Sequence, residues 1–161
     1  MILTEILSSE RVQVAEGNRE LSTKDAALRA LSELLCVGAD APTTAGSQDF
    51  YRVLAEREAL QSTGIGDGVA IPHGALESLT RQVAAVLICR DGVPFDAIDG
   101  RPVRIMFAVV GPKRATGEHL KTLARISRLL RDASFREKLL STAERSQVYD
   151  LIRLAEEGRA A

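Results

Sequence analysis

Two nearly uninterrupted apolar runs constrain the fold more than any other feature of this chain. Residues 83–89 read Val-Ala-Ala-Val-Leu-Ile-Cys, and residues 103–110 are apolar except for one arginine. Both runs have the length of a strand and lack an apolar–polar alternation, which is typical of strands covered on both faces by helices. The sequence therefore predicts an α/β fold with a central sheet flanked by helices on both faces. Its length predicts one domain over residues 1–161.

Short connections predict a mixed sheet with both parallel and antiparallel neighbours. Asp91-Gly92 and Asp99-Gly100 are turn signals between the two runs. Turns are too short for the crossover that joins parallel strands. The pattern along the rest of the chain predicts strands over 12–14 and 69–71, helices over 22–35, 47–60, 116–131, 135–140 and 143–155, a turn at 18–20 and a frayed tail at 156–161.

Composition argues against several classes of function. The formal net charge is −1, aromatic residues make up 4% and there is no Trp, so nucleic-acid binding is not expected. No apolar stretch approaches the roughly 20 residues that span a membrane, and the N-terminus lacks a signal-peptide pattern. We expect a cytoplasmic protein without membrane insertion. Cys36 and Cys89 lack a redox or metal spacing and are interpreted as reduced core thiols.

A glycine-rich segment, Gly64-Ile65-Gly66-Asp67-Gly68, precedes the short strand predicted at 69–71. It lacks the Lys-Ser/Thr pair of a P-loop and leads into a strand, so it matches no nucleotide-binding motif. Two interpretations remain open. The glycines serve a tight turn that needs positive φ, or they form a backbone nest that a phosphate can approach closely.

His73 is one of two histidines in the chain and lies between Pro72 and Gly74. Pro72 fixes its own φ and favours an extended Ile71, while Gly74 removes side-chain crowding. An imidazole with an ordinary pKa near 6.5 is mostly neutral in the cytosol and keeps one free lone pair. This setting favours a nucleophile, such as a phosphoryl acceptor, over a core histidine.

Two further residues could act with His73, and each has an alternative structural interpretation. His119 falls in the first turn of the helix that begins near Thr116, where it is either solvated or faces His73. Arg57 precedes the glycine-rich segment and is either a solvated helix-end residue or a cationic clamp on phosphate.

The sequence gives weaker support for a metal site, a serine hydrolase site or a charged binding face. A metal site would need both distant histidines together with aspartates, so no metal is expected. No GxSxG motif supports a serine hydrolase. A basic stripe on the helix after Thr116 is either a solvated face or a contact for an acidic partner; it comprises Lys121, Arg125, Arg128 and Arg131.

Several of these motifs together resemble a known family. Arg57-Glu58, residues 62–66 and residues 70–74 resemble the signature of EIIA domains of the fructose/mannitol type. These domains belong to the bacterial phosphoenolpyruvate-dependent phosphotransferase system. The likeness continues through residues 95–100, 102–103 and 118–123 and covers about residues 3–154. Within the family, the chain is most similar to the stand-alone nitrogen-regulatory branch.

The resemblance implies a role for each site residue. It implies that His73 accepts a phosphoryl group from a phosphohistidine on an HPr-like carrier, and that Arg57 and His119 surround that phosphate. It also implies a phosphate-surrounding loop at Ser62, Thr63, Gly64 and Gly66, with no cofactor. Apolar residues near His73 would supply a partner-docking surface, namely Ile65, Val69 and Ile71.

Two outputs remain open from the sequence. The chain is either a phosphocarrier whose phosphorylation state regulates other proteins, or a sugar-specific EIIA that passes phosphate to an EIIB. The presence of His73 argues against a third possibility, a binding module that retains the fold without phosphoryl transfer.

Overall fold

The computed structural model describes residues 2–15 and 21–160, so the turn predicted at 18–20 lies outside the described residues. Two short 3₁₀ turns, Leu3–Glu5 and Ser9–Arg11, precede the first strand. The strands are β1 Val12–Ala15, β2 Gly64–Gly66, β3 Val69–Ala70, β4 His73–Leu76, β5 Val83–Val93 and β6 Val103–Pro112. The helices are α1 Lys24–Leu34, α2 Ser47–Leu60, α3 Thr116–Leu130, α4 Ala133–Leu140 and α5 Arg145–Ala160.

The strands form one mixed sheet in the order β1-β5-β6-β3-β2, with β4 also paired to β6. β1 is parallel to β5, and β5 is antiparallel to β6. β3 and β4 follow each other along the free edge of β6, both parallel to it, with Val69 opposite Ile105 and His73 opposite Val109. The predicted mixed sheet is therefore confirmed.

Helices cover both faces of the sheet, as the apolar runs predict. One face of β5, including Leu87, packs into a core with α1 and α2. The opposite face, including Val86 and Ile88, packs into a second core with α3, α4 and α5. Burial on both sides explains why β5 and β6 show no alternation in sequence.

Several element boundaries differ from the predictions for local reasons. Helix α1 begins two residues later than the predicted start at Ser22, because Thr23 is its N-cap and the Thr23 Oγ1 accepts a hydrogen bond from the Ala26 N–H at 3.1 Å. Asp91-Gly92 is an irregularity inside β5, where Gly92 has φ +83°, and is not a turn. Strand β4 is absent from the sequence-based predictions.

The predicted frayed tail at 156–161 is wrong over most of its length. Helix α5 continues to Ala160, and the buried Glu156 carboxylate accepts a hydrogen bond from the Leu3 N–H at 2.7 Å. The C-terminal helix thereby caps the 3₁₀ turn at the start of the chain.

The described residues include no helix long and apolar enough to cross a membrane. Cys36 and Cys89 are free thiols, as predicted. Burial raises the pKa of Cys89 to about 11, which keeps it in the unreactive thiol form.

Candidate functional site

His73 begins β4 and is half-buried at the edge of the sheet. The Val109 N–H donates to the Pro72 carbonyl at 3.0 Å, which fixes the backbone just before the histidine. The His73 Nδ1 lies 2.7 Å from the Ile71 carbonyl oxygen. A carbonyl can only accept, so this bond selects the tautomer with the proton on Nδ1. The lone pair is then on Nε2.

His119 lies in the first turn of α3, directly after the end of β6. Its ring centroid is 5.8 Å from that of His73, and the two rings are tilted by 50°. Its Nδ1 is enclosed without a hydrogen-bond partner and faces Gly111, where an added Cβ would lie 3.4 Å away. The fold therefore brings together the two histidines, which are far apart in sequence.

Arg57 lies in the last turn of α2, the helix that packs against β4. The contact is close, because a Cβ added to Gly74 would lie 3.2 Å from the Cβ and Cγ2 of Val53, one helical turn before Arg57. The Arg57 Nη1 donates to the Gln61 carbonyl at 2.8 Å. The guanidinium charge contributes to lowering the pKa of His73, so it acts on this imidazole.

Burial lowers the pKa values of both histidines below the ordinary imidazole value. For His73 burial is the largest cause. The Ile71 carbonyl opposes it, the Arg57 charge lowers the pKa further, and the Glu58 carboxylate raises it. For His119 burial is again the largest cause, and the nearby His73 lowers the pKa of His119 further. Both rings are consequently held in the neutral form at neutral pH, in which an imidazole can act as a nucleophile.

These lowered pKa values predict a loss of stability in mild acid. The imidazoles of the unfolded chain titrate near 6.5, above the folded values, so the unfolded state binds more protons as pH falls through this window. The free energy of unfolding should decrease from pH 7.5 to pH 5.5, as measured by urea denaturation. A His73→Gln/His119→Gln variant should show a flatter profile. An equally steep profile in that variant would assign the effect to other groups.

The glycine-rich segment forms a β-hairpin, which supports the first of the two interpretations left open above. Gly66 pairs with Val69, and the two-residue turn Asp67-Gly68 has positive φ at both positions, +57° and +76°. The Asp67 N–H donates to the Asp99 carboxylate at 3.1 Å. Val69, the residue after the turn, lies opposite Ile105, and His73 lies opposite Val109, four positions further along β6. At 3.3 Å per residue the turn is therefore at least about 13 Å along the strand from the level of His73.

The hydroxyls of Ser62 and Thr63 are occupied by bonds within the protein. Ser62 Oγ donates to the Phe95 carbonyl at 2.6 Å and accepts from the Gly64 N–H at 3.1 Å. Thr63 is buried, and its Oγ1 donates to the Glu58 carboxylate at 2.5 Å. Both residues hold the loop in place, and neither hydroxyl proton is left to donate to a phosphate.

Two of the three residues expected to form the docking surface are in the core. Val69 is 1% exposed and Ile71 is 6% exposed, both packed in the core beneath α3, α4 and α5. Their apolar character serves that core, and neither side chain is exposed for contact with a partner. Ile65 is 47% exposed and remains available.

Sequence reasoning missed other exposed apolar residues on the elements that carry the site. Leu120 follows His119 and is 61% exposed, although its spacing from Leu123 and the other apolar residues of the helix is typical of a buried stripe. Leu60 ends α2 and is also exposed. The signal in the sequence was their nearness to the site residues, because Leu120 directly follows His119 and Leu60 lies three residues after Arg57.

The basic stripe on α3 is mostly solvent-exposed, and Arg125 forms an ion pair with Glu156 at 3.7 Å. Across residues 2–15 and 21–160, no three His, Cys, Asp or Glu side chains assemble into a group that could hold a metal ion.

Comparison with known proteins identifies the family. The profile described as "Phosphoenolpyruvate-dependent sugar phosphotransferase system, EIIA 2" matches residues 5–154. The chain therefore belongs to the EIIA type 2 family of the phosphotransferase system, whose members are phosphoryl-transfer proteins.

Relatives place the chain beside the nitrogen regulatory proteins. It is 36% identical over 126 residues to the nitrogen regulatory protein of Bradyrhizobium diazoefficiens, a match that covers 78% of this chain and 82% of that protein. It is also 30% identical over 152 residues to the fructose-specific EIIABC component of Bacillus subtilis, which covers 94% of this chain and 23% of that protein. It is an EIIA-Ntr-like phosphocarrier of the phosphotransferase system.

Solved structures agree in fold. The crystal structure of nitrogen regulatory protein IIA-Ntr from Neisseria meningitidis superposes with a TM-score of 0.82 at 32% identity, covering 93% of this chain and 98% of that one. The complex of enzyme IIAMTL with phosphorylated enzyme IIBMTL from Escherichia coli gives a TM-score of 0.70 at 22% identity, covering 91% and 96%. The second likeness shows a shared fold only.

Proposed function

We propose that His73 is the phosphoacceptor of this phosphocarrier and that it receives its phosphoryl group from a phosphohistidine on an HPr-like protein. The observation that carries this proposal is the 2.7 Å contact between His73 Nδ1 and the Ile71 carbonyl, because it leaves the Nε2 lone pair as the nucleophile. The depressed pKa supports the same assignment, since a neutral ring is needed for attack.

The transfer exchanges one P–N bond for another. The Nε2 lone pair of His73 forms a bond to phosphorus while the P–N bond of the donor breaks, and its electron pair returns to the donor nitrogen. The ring of His73 keeps its Nδ1 proton and becomes cationic, and the Ile71 carbonyl stabilises that charge. Donor and acceptor are the same chemical group, so the step is nearly balanced in energy, and catalysis requires mainly positioning and charge stabilisation.

Arg57 and His119 would serve the transferring phosphoryl group. A guanidinium stabilises charge on the phosphoryl oxygens, and Arg57 already exerts its field on His73. His119 has its Nδ1 enclosed at Gly111, which leaves its Nε2 to donate to a phosphoryl oxygen.

The role of Arg57 predicts a rate defect without a stability defect. Arg57→Ala should slow phosphorylation by about 10- to 100-fold, because one charged donor to the phosphoryl group is lost. The free energy of unfolding should change by no more than about 0.5 kcal/mol, as is usual for a surface side chain. The measurement is single-turnover phosphorylation by the phosphorylated carrier.

Arg52→Ala is the matched control for that variant. Arg52 lies on the same helix and carries the same charge, but it is exposed and its ion pair is with Asp49 at 3.9 Å. A similar slowing in both variants would indicate a general charge effect and remove Arg57 from the mechanism.

The output of the site is proposed to be regulatory. The similarity to nitrogen regulatory proteins favours this assignment, whereas the similarity to a fructose-specific component favours transfer to an EIIB as the second candidate. Phosphorylation adds about two negative charges at His73, and segments near it in sequence or on α3 carry exposed apolar side chains, Ile65 and Leu120. A partner that buries this surface should prefer the unphosphorylated form, and a partner with an arginine aimed at His73 should prefer the phosphorylated form.

A reconstituted relay tests the function and separates the two candidates. Phosphoenolpyruvate, the first enzyme of the system and an HPr-type carrier should convert the chain to an acid-labile phosphoprotein. A purified fructose-type EIIB is then added, and transfer of label from the chain is followed over time. Absence of transfer, together with a regulatory target that distinguishes the two authentic forms by titration, supports regulation. Rapid transfer to EIIB and equal affinities of every target for both forms would favour transport.

A further inference from the structure

Glu58 is a buried carboxylate that the mechanism above does not use. It lies on α2 directly after Arg57, and its side chain is only 3% exposed. Oε2 accepts hydrogen bonds from the Thr63 N–H at 2.9 Å and from Thr63 Oγ1. Oε1 forms an ion pair with Lys24 Nζ at 3.0 Å. The Glu58 carboxylate therefore holds Thr63 and Lys24 in a defined position relative to each other.

A continuous series of bonds connects this carboxylate to His73. Glu58 holds Thr63, and the Thr63 carbonyl accepts a hydrogen bond from the Ile71 N–H at 3.0 Å. The carbonyl of Ile71 is in turn the group that lies 2.7 Å from His73 Nδ1. Glu58 therefore fixes the position of the backbone segment whose carbonyl determines the tautomer of His73.

Lys24, the ion-pair partner of Glu58, also contacts the loop that follows β5. Lys24 Nζ also lies 3.4 Å from the Asp96 carboxylate and 5.1 Å from the centre of the Phe95 ring. Phe95 holds Ser62 through its carbonyl. Ser62, the residue just before Thr63, is thus held by the loop that Lys24 contacts.

We propose that Glu58 is a positioning residue for phosphoryl transfer, acting through Thr63 and Ile71 to keep the His73 ring in the tautomer whose Nε2 is free. This inference rests on the proposed function, in which His73 is the acceptor. A carboxylate suits the position because Oε2 accepts two hydrogen bonds from Thr63, and Oε1 places its negative charge against the Lys24 ammonium. A carboxamide would place its NH₂ group against one of these donors whichever way it turned.

Glu58→Gln tests the proposal with two readouts. In the unphosphorylated wild-type protein, ¹⁵N chemical shifts should show His73 protonated at Nδ1 above its pKa. In the variant, the Nε2–H tautomer should gain population, because the Ile71 carbonyl is less firmly placed. The maximal rate of phosphorylation should fall by about tenfold, with the KM for the phosphorylated carrier unchanged within about twofold, since misplacement affects the reacting atoms more than docking.

Glu156→Gln is the matched control. Glu156 is a second buried glutamate that accepts a backbone N–H, from Leu3, on the far helix α5. Its replacement should lower the melting temperature and leave both the His73 tautomer and the rate unchanged. A folded Glu58→Gln protein with wild-type tautomer and rate would overturn the proposal, as would equal effects in the control.

Two gentler variants keep the proposal testable if Glu58→Gln does not fold. Thr63→Val removes only the hydroxyl bond, and Lys24→Met removes the ion pair with Glu58 together with the contacts of the ammonium group with Asp96 and the Phe95 ring. Each should shift the tautomer in the same direction by a smaller amount. No shift in either variant would also overturn the proposal. Because the tautomer is read without phosphate, a failure of His73 as acceptor would appear separately, as continued phosphorylation of a His73→Gln protein.

Discussion

Replacing His73 by glutamine should reduce phosphorylation of the chain by at least about a hundredfold, to the background of the assay. Glutamine has a similar size and can still donate from its NH₂ group to the Ile71 carbonyl, so the local packing is largely kept. Its amide nitrogen has no lone pair available for attack on phosphorus. The measurement is incorporation of label from phosphoenolpyruvate through the first enzyme and an HPr-type carrier.

His119→Gln is the control that separates the two neighbouring histidines. The rings are only 5.8 Å apart, so label on the wrong ring would be a plausible source of error. This variant should remain phosphorylated to the full extent, at a reduced rate, because the acceptor nitrogen is intact. Normal labelling of His73→Gln together with loss of labelling in His119→Gln would reverse the two roles.

The architecture was predictable because its main signal is local. Residues 83–89 and 103–110 are apolar on both faces, and such strands are stable only between two helical layers. The partners of each strand are not encoded locally. Nothing near residue 73 indicates that β3 and β4 both pair with β6, which lies about 30 residues further along the chain. The strand beginning at His73 was missed for this reason.

The site was predictable where it depends on neighbours in sequence, and less so where it depends on packing. Pro72 and Gly74, on either side of His73, indicated from the local sequence that this imidazole is a candidate nucleophile. By contrast, Val69 and Ile71 were expected to form a docking surface because they are apolar and near His73 in sequence. In the structure, residues of α3, α4 and α5 bury both side chains. Apolar residues that line a core and those that form a docking surface are alike in sequence, because both lower their free energy by leaving water.

The role of Glu58 illustrates a second limit. An Arg-Glu pair near the end of a helix is usually solvated, and nothing local indicates that the arginine contributes to the field at His73 while the glutamate is buried. The difference arises because successive helical residues point about 100° apart, and α2 packs against both α1 and β4. Lys24 and Thr63, the groups that satisfy the carboxylate, come from positions 34 residues before and five residues after it.

The close contact between the hairpin and the loop after β5 predicts a large effect on stability. A Cβ added to Gly64 would lie 2.7 Å from the Cβ and 2.9 Å from the Cα of Ala97, so backbone would have to move. Gly64→Ala should therefore lower the free energy of unfolding by about 1–3 kcal/mol, the usual cost of overpacking. For a chain of this size that corresponds to a fall in melting temperature of roughly 2–4 °C per kcal/mol.

Gly117→Ala provides the opposite control, because a Cβ at this position in the first turn of α3 meets nothing within 4 Å. Alanine is the better helix former, so this variant should gain up to about 0.5–1 kcal/mol. Adding Ala97→Gly to Gly64→Ala should recover part of the loss, since it removes the nearer of the two clashing atoms. A melting temperature of Gly64→Ala at or above that of the wild type would show that the loop yields readily. In that case the loop around Phe95 could not hold Ser62, and through it the segment that leads to Thr63, in one position.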